Sequence, residues 1–207
     1  GGTRTLNIEG LVEFNDTATV RAGEGRTAQL QILPDAEVGG TGTLTFSSEL
    51  TPEASNRLRF GASGDEATTS TLGEDLTVVA DSLDLIFSND FFKDTLVSNG
   101  RLVIGDNAQI PLSGQLTFGD TSELVFQVSE TDTAGQFTGA TNRNVTFDGD
   151  LVIDFEAPSD FTPPENLALF DGPTLAGSFD TIRVEDEPNG VSASIDQQGN
   201  ARILEII

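Results

Sequence analysis

A short phrase recurs along this chain: an apolar residue, any residue, then Phe or Ile, followed by small or acidic residues. The copies are Val12-Glu13-Phe14-Asn15-Asp16, Leu44-Thr45-Phe46-Ser47-Ser48, Leu58-Arg59-Phe60-Gly61-Ala62, Leu85-Ile86-Phe87-Ser88-Asn89, Leu102-Val103-Ile104-Gly105-Asp106, Leu116-Thr117-Phe118-Gly119-Asp120 and Val145-Thr146-Phe147-Asp148-Gly149. In an extended strand, residues two apart share a face, so each copy presents two apolar side chains to one side and one side chain to the other. Period-two alternation, closed by a turn residue and repeated along the chain, predicts an all-β fold and specifically a parallel β-helix, or β-solenoid. The copies are irregularly spaced, which fits coils of roughly 20–25 residues with two or three short strands and variable loops.

A β-sandwich is the alternative. Hairpin signals stand at Asn99-Gly100, Asp171-Gly172 and Asn189-Gly190, yet most turns read Gly-Asp, Gly-Thr or Ser-Gly, and the repeat favours the solenoid. Helix signals are scarce. Leu50 to Asn56 offers one turn, with Thr51 as cap and Pro52 at the first helical position, and Asp90 to Asp94 offers another. Composition shifts at Ala157-Pro158 and Pro163-Pro164. Residues 158–207 read as the terminal coils of a single elongated domain spanning 1–207, because they are too short for an independent core.

Net charge is −24, from 34 acidic and 10 basic residues. Phosphate recognition needs basic surface, so nucleic acid is not an expected partner, and anionic membranes are disfavoured too. Cys, His, Trp, Tyr and Met are absent, leaving 14 Phe as the only aromatic residues. No stretch approaches the roughly 20 apolar residues of a membrane-spanning helix. Without Met the chain reads as processed from a precursor or cut from a larger protein. Processing, acidity and the lack of cysteine together predict an exported bacterial protein, extracellular or at the cell surface.

Gly39-Gly40-Thr41-Gly42-Thr43-Leu44-Thr45-Phe46 is similar to the Gly-rich strand repeat of the β-helical passenger regions of bacterial autotransporter-like surface proteins. Gly177-Ser178-Phe179-Asp180-Thr181-Ile182, after Leu169-Phe170, resembles the passage that often closes such a solenoid. The resemblance implies tight glycine corners, stacked Phe and Leu inside, and a surface location; it fixes no ligand.

Chemistry-bearing residues are few. Asp148-Gly149-Asp150 with Asp154 and Glu156, and separately Glu185-Asp186-Glu187, offer oxygen ligands of the kind calcium takes, about six to eight converging on one point. The alternative is a solvated acidic surface, which is the favoured reading. The calcium-binding Gly-Gly-x-Gly-x-Asp repeat is not satisfied, because Leu44 follows Thr43. No cofactor is expected.

Paired carboxylates serve glycosidases, but this chain has no Trp or Tyr to form a sugar platform and no His to act as base near neutral pH. No Ser has a His partner or a nucleophile-elbow context, and Lys93 is the single lysine. An enzyme is not expected. Phe91-Phe92 is a conspicuous apolar doublet whose expected role is to anchor a loop on the core. Thr41, Thr43 and Thr45 share a strand face of the kind that binds ice, yet no Thr-x-Thr ladder recurs at coil spacing in the sequence.

The ends carry more weight. Thr5-Leu6-Asn7-Ile8 begins a strand at once, and Ile203-Leu204-Glu205-Ile206-Ile207 ends apolar, with no polar cap after it. Open solenoid ends invite pairing with other chains. The expected function is therefore a non-enzymatic structural protein that self-associates end to end into an extracellular filament or surface layer. Its expected subunit interface is Leu6, Ile8, Ile203, Leu204, Ile206 and Ile207. The alternative is a passenger or adhesin segment of a larger bacterial surface protein, with a surface ligand of its own.

Overall fold

The computed structural model of the protein describes residues 2–48, 55–61, 67–80, 85–88, 94–106, 108–128, 135–140, 142–155, 166–186, 193–198 and 201–206. Glu13, Thr45, Arg59, Val103, Thr117 and Thr146 stand between inward-facing apolar neighbours, and the chain closes on itself in repeated three-strand circuits that bury those neighbours. The circuits run β1 (Thr3–Ile8), β2 (Leu11–Glu13), β3 (Thr17–Ala22); β4 (Thr27–Ile32), β5 (Glu37–Gly39), β6 (Thr43–Ser48); and β7 (Ser55–Phe60), β8 (Thr69–Leu72), β9 (Thr77–Ala80). They continue with β10 (Leu85–Ser88), β11 (Thr95–Ser98), β12 (Arg101–Ile104); β13 (Gln109–Leu112), β14 (Gln115–Phe118), β15 (Glu123–Val128); and β16 (Gln136–Gly139), β17 (Asn144–Phe147), β18 (Asp150–Phe155). The final strands are β19 (Asn166–Asp171), β20 (Thr174–Gly177), β21 (Thr181–Glu185), β22 (Ala193–Gln198) and β23 (Ala201–Ile206).

Every third strand pairs in parallel with its predecessor, which makes three sheets. Sheet A contains β1, β4, β7, β10, β13, β16 and β19, sheet B runs from β2 to β20, and sheet C from β3 to β21. The protein is thus a parallel β-solenoid, all-β and without a helix among the described residues. Ser55 and Asn56, expected at the end of a helical turn, open strand β7, because alternation through Leu58 and Phe60 outweighs the short capping signal. Residues 90–93 of the second helix candidate, with Phe91, Phe92 and Lys93, lie outside the described residues.

The irregular spacing of the phrase follows from this geometry. Its copies fall on β2, β14 and β17 of sheet B, β6 and β12 of sheet C, and β7 and β10 of sheet A. The phrase marks a strand that borders the core, whichever sheet the strand belongs to. Coil length also varies more widely than 20–25 residues: Arg101 faces Glu123, 22 residues on, whereas Thr43 faces Thr77, 34 residues on.

Inward rows stack along the axis. On sheet C, Phe46 lies beside Ala80 and Ala80 beside Ile104, then Phe126 and Ile153, so a small side chain relieves the large ones. Toward the C-terminal half the rings touch: Phe137 and Phe170 stack with centroids 5.3 Å apart, while Phe126 and Phe147 meet Phe170 edge-on at 5.5 and 5.1 Å. Buried hydroxyls are satisfied by corners, as Ser70 donates to the Leu33 carbonyl at 3.1 Å.

The passage between sheets B and C is a glycine corner in most circuits. A side chain at Gly149, whose φ is +79°, would lie 2.5 Å from the Ser122 carbonyl oxygen of the circuit before. Corners therefore stack backbone on backbone, which only glycine permits.

Candidate functional site: the two ends of the solenoid

Among the described residues, the exposed large apolar side chains are Leu6, Leu11 and Ile182. Two of them mark opposite ends of the core. Leu6, on β1, stands in register with Leu30 and Leu58, both buried, and so occupies an inward row; yet it is 58% exposed. Ile8, two residues on, is buried, and Val12, Phe14, Ala18 and Val20 complete a half-buried apolar floor packed on the core. A shallow cavity of about 270 Å³ opens between Arg4, Leu6, Val20 and Leu30. A second, of about 410 Å³, lies alongside and is lined by Arg4, Arg21, Glu24 and Arg26, an arginine-rich corner in a strongly acidic protein.

At the other end Ile182, on β21, pairs with Leu151 in the inward row and is 48% exposed. Leu175, Phe179 and Val184 lie half-buried beside it, and Phe179 approaches Phe147 with ring centroids 4.4 Å apart. Asp180, Glu185 and Asp186 are exposed around this end. The rows of sheet C run from Ala18 to Ile182 and from Val20 to Val184. Both ends present half-buried apolar rows; Arg4, Arg21 and Arg26 gather at one, and Asp180, Glu185 and Asp186 at the other.

Sheet A ends differently. Strand β23 runs antiparallel to β19, and β22 runs antiparallel to β23, so a hairpin occupies the edge where a further parallel strand would add. Ile203, Leu204 and Ile206 sit on β23, between two strands, and the sheet edge is β22. Ile207 lies outside the described residues. The expected interface residues are therefore divided, with Leu6 at an open rung, Ile8 beneath it and the C-terminal isoleucines inside a hairpin. Phe179 and Ile182 stand in the passage that resembles a solenoid's close, but neither they nor Leu175 and Val184 are among the expected interface residues. The Ile-x-Val alternation in Thr181–Glu185 carried the signal, but only register shows that, among the described residues, β21 is the edge of sheet C.

The two acidic runs come together. Asp154 pairs with Glu185 across β18 and β21, and Asp186, at φ 52°, follows directly. Burial raises the Asp154 carboxyl above the usual aspartate range; the charges of Asp186 and Glu185 add to the shift, and Arg101 opposes it. Asp150 instead meets Arg183 at 3.4 Å, and Arg183 also pairs with Glu123, itself paired with Arg101. Among the described residues no group of three or more potential ligands is placed to hold a metal ion. Glu156 and Glu187 lie outside them.

The fold and its ends define the class: a parallel β-solenoid with a half-exposed apolar rung at each end and a hairpin over one sheet. No protein-family model, curated protein or solved structure matches the chain.

Proposed function

We propose that the protein is a non-enzymatic structural solenoid that associates end to end with copies of itself, as part of an extracellular filament or surface layer. The observation that carries this reading is Leu6, a core-row residue left 58% exposed while its in-register neighbour Leu30 is 1% exposed. Burying such a position is favourable by about 25 cal/mol per Å² of apolar surface. Charge supports the same partner, since Arg4, Arg21 and Arg26 of one copy would approach Asp180, Glu185 and Asp186 of the next. Strand pairing would continue across the contact on sheets B and C, while the Leu6 rung of sheet A would pack against the hairpin at the C-terminal edge of that sheet. Repetition of this heterologous contact gives an open filament, and the acidic exterior opposes lateral clumping.

The hairpin favours a second reading. It covers the C-terminal edge of sheet A and follows Gly177 to Ile182, the passage that resembles the close of bacterial passengers. In that reading the chain is a segment of a larger surface protein, and further coils cover the Leu6 rung.

Sedimentation velocity and electron microscopy across a concentration series separate the two. The filament reading expects concentration-dependent growth into fibres, loss of growth in Arg21→Glu, and its recovery when Arg21→Glu is combined with Glu185→Arg. A monomer at every concentration removes it. The passenger reading then expects a chain extended by preceding coils to melt at a higher temperature, with Leu6 protected from labelling after substitution by Cys.

A further inference from the structure

Sheet B carries on its outer face a feature that register alone brings together. Ser70 and Leu72, Leu96 and Ser98, Leu116 and Phe118, and Val145 and Phe147 point into the core, and Leu175 packs against it. The alternate residues of β8, β11, β14, β17 and β20 therefore face outward. One row reads Thr71, Val97, Thr117, Thr146, Ala176. The row beside it pairs Thr69, Thr95 and Gln115, then Asn144 and Thr174, and the Asn144 amide donates to Gln115 Oε1 at 3.0 Å. Members of a row lie 20 to 30 residues apart in sequence, with unequal corners between them. No Thr-x-Thr ladder recurs, since only β8 carries threonine at both outward positions, but the fold gathers threonines from all five strands onto one face.

Charge sets this face apart. Across five strands its ten outward positions hold six threonines and no charged residue, in a protein of net charge −24. The corresponding positions of β12, β15 and β18 on sheet C include Arg101, Glu123, Asp150 and Asp154. On sheet C the threonine row from Thr17 through Thr43 and Thr77 runs into those charges.

We propose that the outer face of sheet B, from β8 to β20, binds ice. Neighbouring strands of such a sheet are about 4.8 Å apart, and alternate residues along a strand about 6.6 Å, so the side chains form a flat two-dimensional grid. Threonine is stiff about χ1 and presents one methyl and one hydroxyl, so the grid orders water without a large loss of side-chain entropy. Ionised groups would hold hydration shells incompatible with a lattice; β8 to β20 carry none outward, and the row meets its first charge at Glu37 of β5, beside Thr71. A crystalline polysaccharide is also periodic and uncharged, but the chain has no Trp or Tyr on which sugar rings stack.

The test is partition of the full-length protein into a slowly growing ice hemisphere, together with thermal hysteresis. Cellulose and chitin pull-downs run in parallel. The expected result is enrichment of the parent protein in ice, a fall to the bulk level in Thr117→Lys and Thr146→Lys, and retained enrichment in Thr45→Lys on sheet C. Circular dichroism and melting temperature identify the variants that keep the fold. Exclusion of the parent protein from ice overturns the proposal, as does equal loss in Thr45→Lys, or retention on polysaccharide without uptake into ice.

Discussion

Leu6 and Leu30 occupy the same inward row on adjacent strands, and Leu30 is 1% exposed where Leu6 is 58% exposed. Leu30 lies on β4, between β1 and β7, whereas Leu6 lies on β1, the edge of sheet A among the described residues. Leu30→Ala is expected to cost about 2–5 kcal/mol, the range for emptying a packed core site. Leu6→Ala is expected to cost about 0.5 kcal/mol or less in the monomer, as at a surface site. Urea unfolding at low protein concentration checks both, and equal costs would show that the Leu6 rung is already covered.

Gly149 and Gly10 both have positive φ, but a methyl at Gly10 would meet open space whereas one at Gly149 would strike the Ser122 carbonyl. Gly10→Ala should cost about 1–2 kcal/mol, the left-handed penalty alone. Gly149→Ala should cost more, because the stacked corner must also move. A melting comparison of the two variants isolates the corner contact, and identical melting points would refute close stacking there.

Asn56 faces inward from β7, 1% exposed, and among the described residues neither side-chain amide atom has a hydrogen-bond partner. Its row neighbour Ala28 is apolar and small. An unsatisfied buried polar group costs about 1–3 kcal/mol. Asn56→Leu is accordingly expected to stabilise the fold by a comparable amount, read as a rise in the denaturation midpoint at unchanged slope. A loss of stability would mean that the amide is satisfied in solution.

Asp154 is held above the usual aspartate range by burial and by its acidic neighbours. A raised folded-state value means that the folded protein binds the proton more tightly than the unfolded chain does. Ionisation therefore destabilises the fold as pH rises from the normal aspartate value, about 3.9, through the raised one. Asp154→Asn is expected to melt higher than the parent protein at neutral pH, and the gain should shrink as pH falls through that window. A gain that is constant with pH would locate its origin elsewhere than in the charge.

Much of this architecture is legible in the residues. Leu44 and Phe46 flanking Thr45, or Val145 and Phe147 flanking Thr146, announce core-facing strands, because a strand has only two faces and one must be dry. Glycine at positions 40, 100, 119 and 149 announces corners. The acidic runs near Asp154 and Glu185 are visible as composition, but their meeting across β18 and β21 is not, since the intervening coil has no fixed length.

By itself the sequence determined the all-β class, the alternation that fills the core, and a composition without His, Cys, Tyr or Trp. Tertiary structure alone decided register: that Ala18 and Ile182 share a row at opposite ends, that β23 turns antiparallel against sheet A, and that Thr71, Thr117 and Thr146 share one outer row. The physical reason is that strand alternation is local, with a period of two residues. Row membership depends instead on the number of residues in each coil, and here that number changes from one circuit to the next.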